Sequence, residues 1–305
     1  MVSEVRNLSG CFTSRLISPT SFPLWRVFDQ MQVERKIKKI GLCLVASLVI
    51  ISCCSSICFA SAPSNGVSLI LKAKEVMVGF EDGSMRWEEN LTRAQAVKII
   101  VTAMGLQEQV KQSQSLLALF PDVQKSHWAF GVINLAAELG LVKGFPDGTF
   151  KPDKSVSKAE YVCMLSRMYK ALGGIPEESM EIPSITPSWA MDEVSQSSDL
   201  VSALNPKEGD TYDYAITRGE TASLTYSLME AFGLLYDIIG TLDEVKTGSI
   251  SIIPYNSKDP IDIKTGSTTK CVTEDKEIPI SGGLVGKEVY VILDKYRVCA
   301  LLVTK

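Results

Sequence analysis

Histidine is almost missing from this chain. His127 is the single one in 305 residues, and no Ser or Cys stands at a spacing that would make it part of a nucleophilic triad. No His/Cys cluster has the spacing of zinc ligands either. The sequence therefore offers no catalytic residue, no metal site and no cofactor. Positive charge is also scarce: 31 Lys/Arg face 35 Asp/Glu, a net charge of −4, which argues against a nucleic-acid partner. Long hydrophobic runs are lacking as well. The one strongly apolar stretch, residues 40–51, falls short of the roughly 20 residues that span a bilayer as a helix.

That stretch has a context. Arg35, Lys36, Lys38 and Lys39 precede it, and Ala60 and Ala62 follow. A basic segment, an apolar segment and a small-residue site make a secretory signal. Cleavage is expected after Ala60, because a cut after Ala62 would place Pro63 next to the bond. Residues 1–30 do not resemble a targeting segment, and the layout begins afresh at Met31, the expected true start. A rival processing site is "IISC", residues 50–53, which resembles a lipobox. Lipidation at Cys53 is the one route by which a membrane would become a partner. Removal of residues 1–60 leaves 24 Lys/Arg against 32 Asp/Glu, a net charge near −8, and three of the eight cysteines. Cys163 sits in an apolar helical pattern and reads as core. Cys271 and Cys299 fit either an extracellular disulfide or two separate thiols.

What the chain has is repetition. "GFEDGSMRWEENLTRAQ" (residues 79–95) aligns without a gap on "GFPDGTFKPDKSVSKAE" (residues 144–160). A second alignment sets "SHWAFGVINLAAELGLV" (126–142) on "PSWAMDEVSQSSDLVSAL" (187–204), and "VSKAE" on "ITRGE" (216–220). Three units result, at 63–110, 118–174 and 184–234, each reading helix, loop, helix. Every second helix opens on a capping box: Thr92 with Gln95, Ser157 with Glu160, Thr217 with Glu220. Gly105, Gly173 and Gly233 supply the stops. One two-helix unit cannot bury both faces of its helices, but three can share a core.

At the first helical position stands a cation each time: Arg93, Lys158, Arg218. The positive end of the helix dipole disfavours it there. Two explanations fit. The side chains lay their methylenes over a neighbouring unit with the charge in water. Or they join uncapped N–H groups to hold a carboxylate or phosphate. Asp82 and Asp147, on the preceding turns, either bond their own backbone or accept from sugar hydroxyls. Trp128 and Trp189 either seat helix starts in the core or stack on a sugar face.

The stretch 120–165, "F-x-D-V…WA…I…GLVKGFPDGTFKPDKSVSKAE…ML", resembles an S-layer homology (SLH) repeat, and the other two units match it more weakly. The resemblance implies a pseudo-threefold trimer of repeats on a central helical bundle. It implies non-covalent anchoring to the bacterial cell wall through secondary cell-wall polysaccharide, often by its ketal-linked pyruvate. It also implies a secreted, wall-bound location. Carried over, the polysaccharide contacts are Arg93, Lys158 and Arg218, with Thr92, Ser157 and Thr217 beside them. Gly79 and Gly144 would let the sugar approach, and Asp82, Asp147, Trp128 and Trp189 complete the set. The first unit lacks the opening motif and has Gln95 for Glu. The second offers lysine, a point charge rather than a fork. The third has "NPKEG" (205–209) for "GFPDG", so one or two competent sites are expected. Alanine at Arg93 and Arg218 is expected to weaken wall binding and leave the helices folded.

Residues 240–305 change texture to short β-branched runs split by Gly, Pro, Asn and Asp. Five or six strands in a small barrel or sandwich are expected, with Gly282-Gly283 as a turn or bulge. The fold class is thus α+β and multidomain. A structural S-layer or envelope protein that self-associates through its β domain is the alternative function. A cell-surface carbohydrate-active enzyme is a third: two carboxylates suffice for glycoside cleavage, but the repeats claim most of the regular region.

Overall fold

A computed structural model describes residues 62–113, 117–174, 188–190, 193, 212–273, 276–294 and 296–304. The signal segment, Cys53 and most of the first half of the third unit, with its "NPKEG" loop, lie outside these residues. The described chain is mixed α+β: helices first, then a β-barrel. Among the described residues, no helix is long and apolar enough to cross a membrane.

The helices are α1 (Asn65–Ala73), α2 (Arg93–Ala103), α3 (Gln107–Ser113), α4 (Phe130–Glu138), α5 (Lys158–Ala171) and α6 (Arg218–Ala231). In α2, α5 and α6 both halves of the capping box form. The hydroxyls of Thr92, Ser157 and Thr217 accept from the N–H three residues on, and Gln95, Glu160 and Glu220 reach back to the cap N–H. Gly105, Gly173 and Gly233 follow these helices at φ of 71°, 86° and 64°, a region open to glycine at no steric cost.

The helix starts are tied together by backbone. Leu91 N–H donates to Ile216 O (3.3 Å), Ile216 N–H to Val156 O (3.0 Å), and Val156 N–H to Leu91 O (3.0 Å). Three residues at equivalent places thus close a ring, and all three are buried. The next N–H groups follow the same rule. Arg93 and Ala94 donate to Lys154 and Pro152, Lys158 and Ala159 to Tyr214 and Tyr212, and Arg218 and Gly219 to Glu89 and Trp87. Helix N–H groups that have no intrahelical partner are therefore satisfied by the loop of another repeat unit.

The loop between the repeat helices is built alike in two units. Asp82 accepts from Ser84 N and Oγ, and Asp147 from Thr149 N and Oγ1. Arg86 and Lys151 both hold positive φ (47° and 57°), pair with those aspartates and lie over the rings of Phe80 and Phe145. The second unit has one more clamp: Asp122, from the opening motif, accepts from Phe150 N at 2.9 Å and Lys151 N at 2.7 Å.

The barrel strands are β1 (Ile238–Lys246), β2 (Ser249–Pro254), β3 (Ile261–Thr273), β4 (Lys276–Ile278), β5 (Glu288–Leu293) and β6 (Cys299–Thr304). Their order is β2-β1-β5-β6-β3-β4, and β2 also pairs with β3. Five strands therefore close on themselves, with β4 as an added sixth. All pairs are antiparallel except β3 with β6, an order characteristic of OB-type Greek-key barrels. The thirteen-residue β3 makes closure work, pairing with β2 through its first half and with β6 and β4 through its second. Leu242, Ile250, Ile252, Ile263, Val289, Val291 and Leu302 fill the interior. Leu284, on the 3₁₀ turn Gly282–Leu284, packs into the same cluster. Cys271 and Cys299 are separate, buried thiols in that interior. The barrel meets the helices at a Lys74–Asp237 ion pair of 2.8 Å.

Candidate functional site

The three cations at the helix starts are buried. Arg93 is 4% exposed, Lys158 7% and Arg218 8%, so their charge does not lie in water. The N–H groups beside them are already taken by carbonyls, so the second explanation also fails in its detail: the helix ends are not uncapped. The physical reason is the ring, which presses each helix start against the next loop.

Each cation reaches into a different unit from its own. Arg93 donates from Nε to Phe150 O (2.8 Å) and from Nη2 to Lys143 O (3.1 Å). Its Nη1 pairs with Glu160 at 3.2 Å, and the rings of Phe145 and Phe150 lie 4.5 and 4.7 Å away. Lys158 donates to Tyr214 Oη (2.7 Å) and pairs with Glu220 (3.4 Å). Arg218 donates from Nε to Met85 O (2.8 Å) and from Nη2 to Val78 O (3.2 Å), with Phe80 5.1 Å away.

The third arrangement differs from the first two. Arg93 and Lys158 meet the capping glutamate of the unit they enter; the equivalent residue for Arg218 is Gln95, which carries no charge. Among the described residues Arg218 has no carboxylate within ion-pair distance, and its Nη1 takes no protein acceptor. Burial pushes the Arg93 and Arg218 guanidiniums below the ordinary arginine range, opposed for Arg93 by Glu160 and for Arg218 by Glu89. Glu220 is shifted down although burial opposes it, because Thr217 N–H, Tyr214 Oη and Lys158 all favour its charged form.

An open cleft of about 530 Å³ lies over the Arg93 position. Four cations (Arg93, Lys143, Lys154, Arg167) and three carboxylates (Glu160, Glu193, Asp213) line it, leaving one net positive charge in an acidic protein. Lys143 and Lys154 hold Glu193 and Glu160 at 2.5 and 3.3 Å with side chains 68% and 50% exposed; Arg167 also pairs with Glu193. Exposed lysines of this kind exchange partners at little cost. Trp189 lines the cleft and is 58% exposed. Trp128, at the equivalent helix start, is 57% exposed and stacks on His127. Neither seats a helix in the core.

Gly144 lines the cleft and Gly79 occupies the matching place in the first unit. A Cβ on Gly144 would meet Phe120 Cε1 at 2.6 Å and Thr149 O at 2.9 Å, and one on Gly79 would meet Ser84 O at 2.9 Å. The protein's own loop already requires glycine there. Asp82 and Asp147 bond their own turns: the Ser84 donors hold Asp82 down at about 2, and Lys151 together with the Thr149 donors holds Asp147 well below the usual carboxylate range. Thr92, Ser157 and Thr217 are engaged as caps.

Sequence reasoning missed Lys143, Arg167 and Glu193. Arg167 was within reach, since Glu160, Cys163, Met164 and Arg167 recur at helical spacing on α5 and all line the cleft. Glu193 had no such signal. Among the described residues, no group of three or more His, Cys, Asp or Glu is arranged to hold a metal ion.

Comparison with known proteins bears on the middle stretch, which carries the Arg93 partners and most of the cleft. The S-layer homology domain family matches residues 119–162. Cell surface glycoprotein 1 of Acetivibrio thermocellus is 39% identical over 87 residues, covering 28% of this chain and 4% of the relative. The cellulosome-anchoring protein of the same organism is 34% identical over 115 residues, 37% of this chain and 26% of the relative. The surface layer protein of Brevibacillus choshinensis is 34% identical over 130 residues, 43% and 11%. The chain thus spans at most about a quarter of these relatives. Residues 119–162 thus match the S-layer homology domain, and the relatives named here are surface and anchoring proteins.

Proposed function

We propose that the helical region anchors the protein at the cell surface by holding an acidic polysaccharide of the wall, of the pyruvylated secondary type, in clefts between three S-layer homology units. The three units, 63–110, 118–174 and 184–234, form a pseudo-threefold body. The closed ring of Leu91, Val156 and Ile216 supports that arrangement, as does the way Arg93, Lys158 and Arg218 each enter another unit. The domain and the surface-named relatives place the chain outside the cell, at the wall or surface. An anchoring role rather than a catalytic one agrees with their names.

The observation that carries the reading is the cleft itself: net positive, and lined by an exposed tryptophan together with Gly144 and Phe145. A flat sugar face suits the indole, and a carboxylate suits the lysines, which release Glu160 and Glu193 to take it. The Arg218 position adds a second place for the acid group. There the guanidinium has no carboxylate within ion-pair distance among the described residues, so an anion gains a charge-assisted bond without displacing a paired protein carboxylate.

The test is sedimentation of the full chain with purified wall sacculi, before and after mild acid removes ketal-linked pyruvate. Binding is expected to fall on that treatment. Gln95→Glu, which restores the carboxylate the other two units have, is expected to weaken binding by about tenfold without lowering the melting temperature. Equal binding to treated and untreated walls would overturn the acid-group reading, and equal binding by Gln95→Glu would remove Arg218 from it.

A further inference from the structure

The barrel offers chemistry that the cleft does not use. Tyr290 of β5 lies opposite Ile239 of β1, and Tyr255, just past β2, donates its N–H to Ile239 O at 3.1 Å. Tyr290, Ile239 and Tyr255 therefore form one row across three strands on the outside of the barrel. Glu288, Thr241 and Ile253 form the row beside it. The Tyr255 hydroxyl donates to Glu288 Oε1 at 2.8 Å, and the Tyr290 hydroxyl bonds the same carboxylate. Tyr236 continues the track, its ring 4.9 Å from that of Tyr290 at 52°. Tyr236 and Tyr226, themselves hydrogen-bonded, line a cleft of about 320 Å³ between α1, α6 and the barrel wall.

We propose that this tyrosine track is a binding site for a neutral, linear glycan. Strands lie about 4.8 Å apart, so the three-residue row spans about 10 Å, close to the length of a disaccharide, and the adjoining cleft extends it. Tyr255 is 63% exposed, yet its ring is held by the bond to Glu288 on a rigid sheet, so little rotamer freedom is lost on binding. Both phenols donate their hydrogen bonds to Glu288 and keep only lone pairs to offer a ligand. Glu288 has acceptor positions left and no ion-pair partner among the described residues. The surface thus combines ring faces with acceptors alone, which suits a ligand with C–H faces and hydroxyl donors. An acidic glycan is repelled by the carboxylate, so this site selects the opposite class from the Arg218 position. An ammonium ligand would want rings around it, and an open wall leaves it hydrated.

The experiment is affinity electrophoresis of the full chain in gels containing xylan or mixed-linkage β-glucan as neutral probes, alginate as the acidic one and chitosan oligomers as the cationic one. Alginate engages only the helical cleft, so any retardation by it is expected to be unchanged in Tyr255→Ala; the barrel is expected to give retardation with a neutral probe. Tyr255→Ala is expected to weaken it by about tenfold with an unchanged melting temperature. Glu288→Gln keeps an acceptor oxygen and is expected to cost about threefold. Gln95→Glu is expected to leave it intact, which separates this site from the helical cleft. Absence of retardation by both neutral probes, or full retardation of Tyr255→Ala, overturns the proposal. Retardation by chitosan alone, abolished by Glu288→Gln, assigns an ammonium ligand instead.

Discussion

Arg93→Ala tests whether the buried cations are part of the fold before they are part of any site. Arg93 gives two bonds to carbonyls, at 2.8 and 3.1 Å, and pairs with a carboxylate whose side chain is 10% exposed. Hydrogen bonds from a charged donor contribute about 1.5 kcal/mol or more each, which gives about 3 kcal/mol for the two. Breaking a buried pair costs about 3–5 kcal/mol when the remaining charge is stranded. Here stranding is partial, because Lys154 and the Ser157 N–H stay on Glu160. With the partly stranded charge adding about 1 kcal/mol, a loss of about 4 kcal/mol follows, or about 8–16 °C in melting temperature for a chain of this size. Arg218→Ala loses two such bonds but strands no carboxylate, and should cost about 3 kcal/mol. The difference should vanish in a Glu160→Gln background, a coupling of about 1 kcal/mol. Urea unfolding followed by far-UV circular dichroism reads the parent, the single variants and the double variants. A loss below about 0.5 kcal/mol for Arg93→Ala, the level of an ordinary surface substitution, would refute the argument and return the side chain to solvent. Alanine at these positions is thus not a clean probe of wall binding, contrary to the sequence expectation, and Gln95→Glu replaces it.

Gly144→Ala should destabilise by about 1–3 kcal/mol, the range of overpacking, since its Cβ would meet both Phe120 and a carbonyl; thermal melts check this. Glu220 has a folded pKa below its ordinary 4.5. The stability it contributes is therefore present above about pH 4.5 and lost as pH falls through the lowered value, and Glu220→Gln should flatten that limb of a melting-temperature profile. In a chain cut after Ala60, the thiols of Cys163, Cys271 and Cys299 should resist a disulfide reagent at pH 8 until guanidinium unfolds the protein. Burial pushes Cys163 and Cys299 up to about 12 and raises Cys271; rapid labelling of the native chain would contradict that burial.

Local chemistry was legible from the letters. Thr92-x-x-Gln95 and its two counterparts announce capping boxes because the motif is satisfied within four residues, and the glycine stops need nothing beyond their own φ. The β runs announced strands, but barrel or sandwich depended on whether β3 bends far enough to meet both β2 and β6, which no local pattern encodes. The cations were legible as misplaced and not as explained. Their acceptors, Phe150 O and Met85 O, are backbone atoms far away in sequence, and backbone acceptors leave no trace in residue type. Trp128 and Trp189 stayed between two readings for a related reason: an aromatic at a helix start looks the same whether a neighbouring unit covers it or a cleft leaves it open. Gln95 was noticed as a departure, but its effect falls on Arg218, a residue of a different repeat.

In the proposed three-unit body the first unit leans on the second, the second on the third and the third on the first, so the copies are not free to diverge one at a time. A change at a capping residue alters the electrostatics of the preceding copy's cation, and for the first copy the preceding one is the last. Relatives should therefore show compensating changes between consecutive repeats in cyclic order, wrapping from the final repeat to the opening one, and a chain stripped of any single repeat should lose the order of the two that remain.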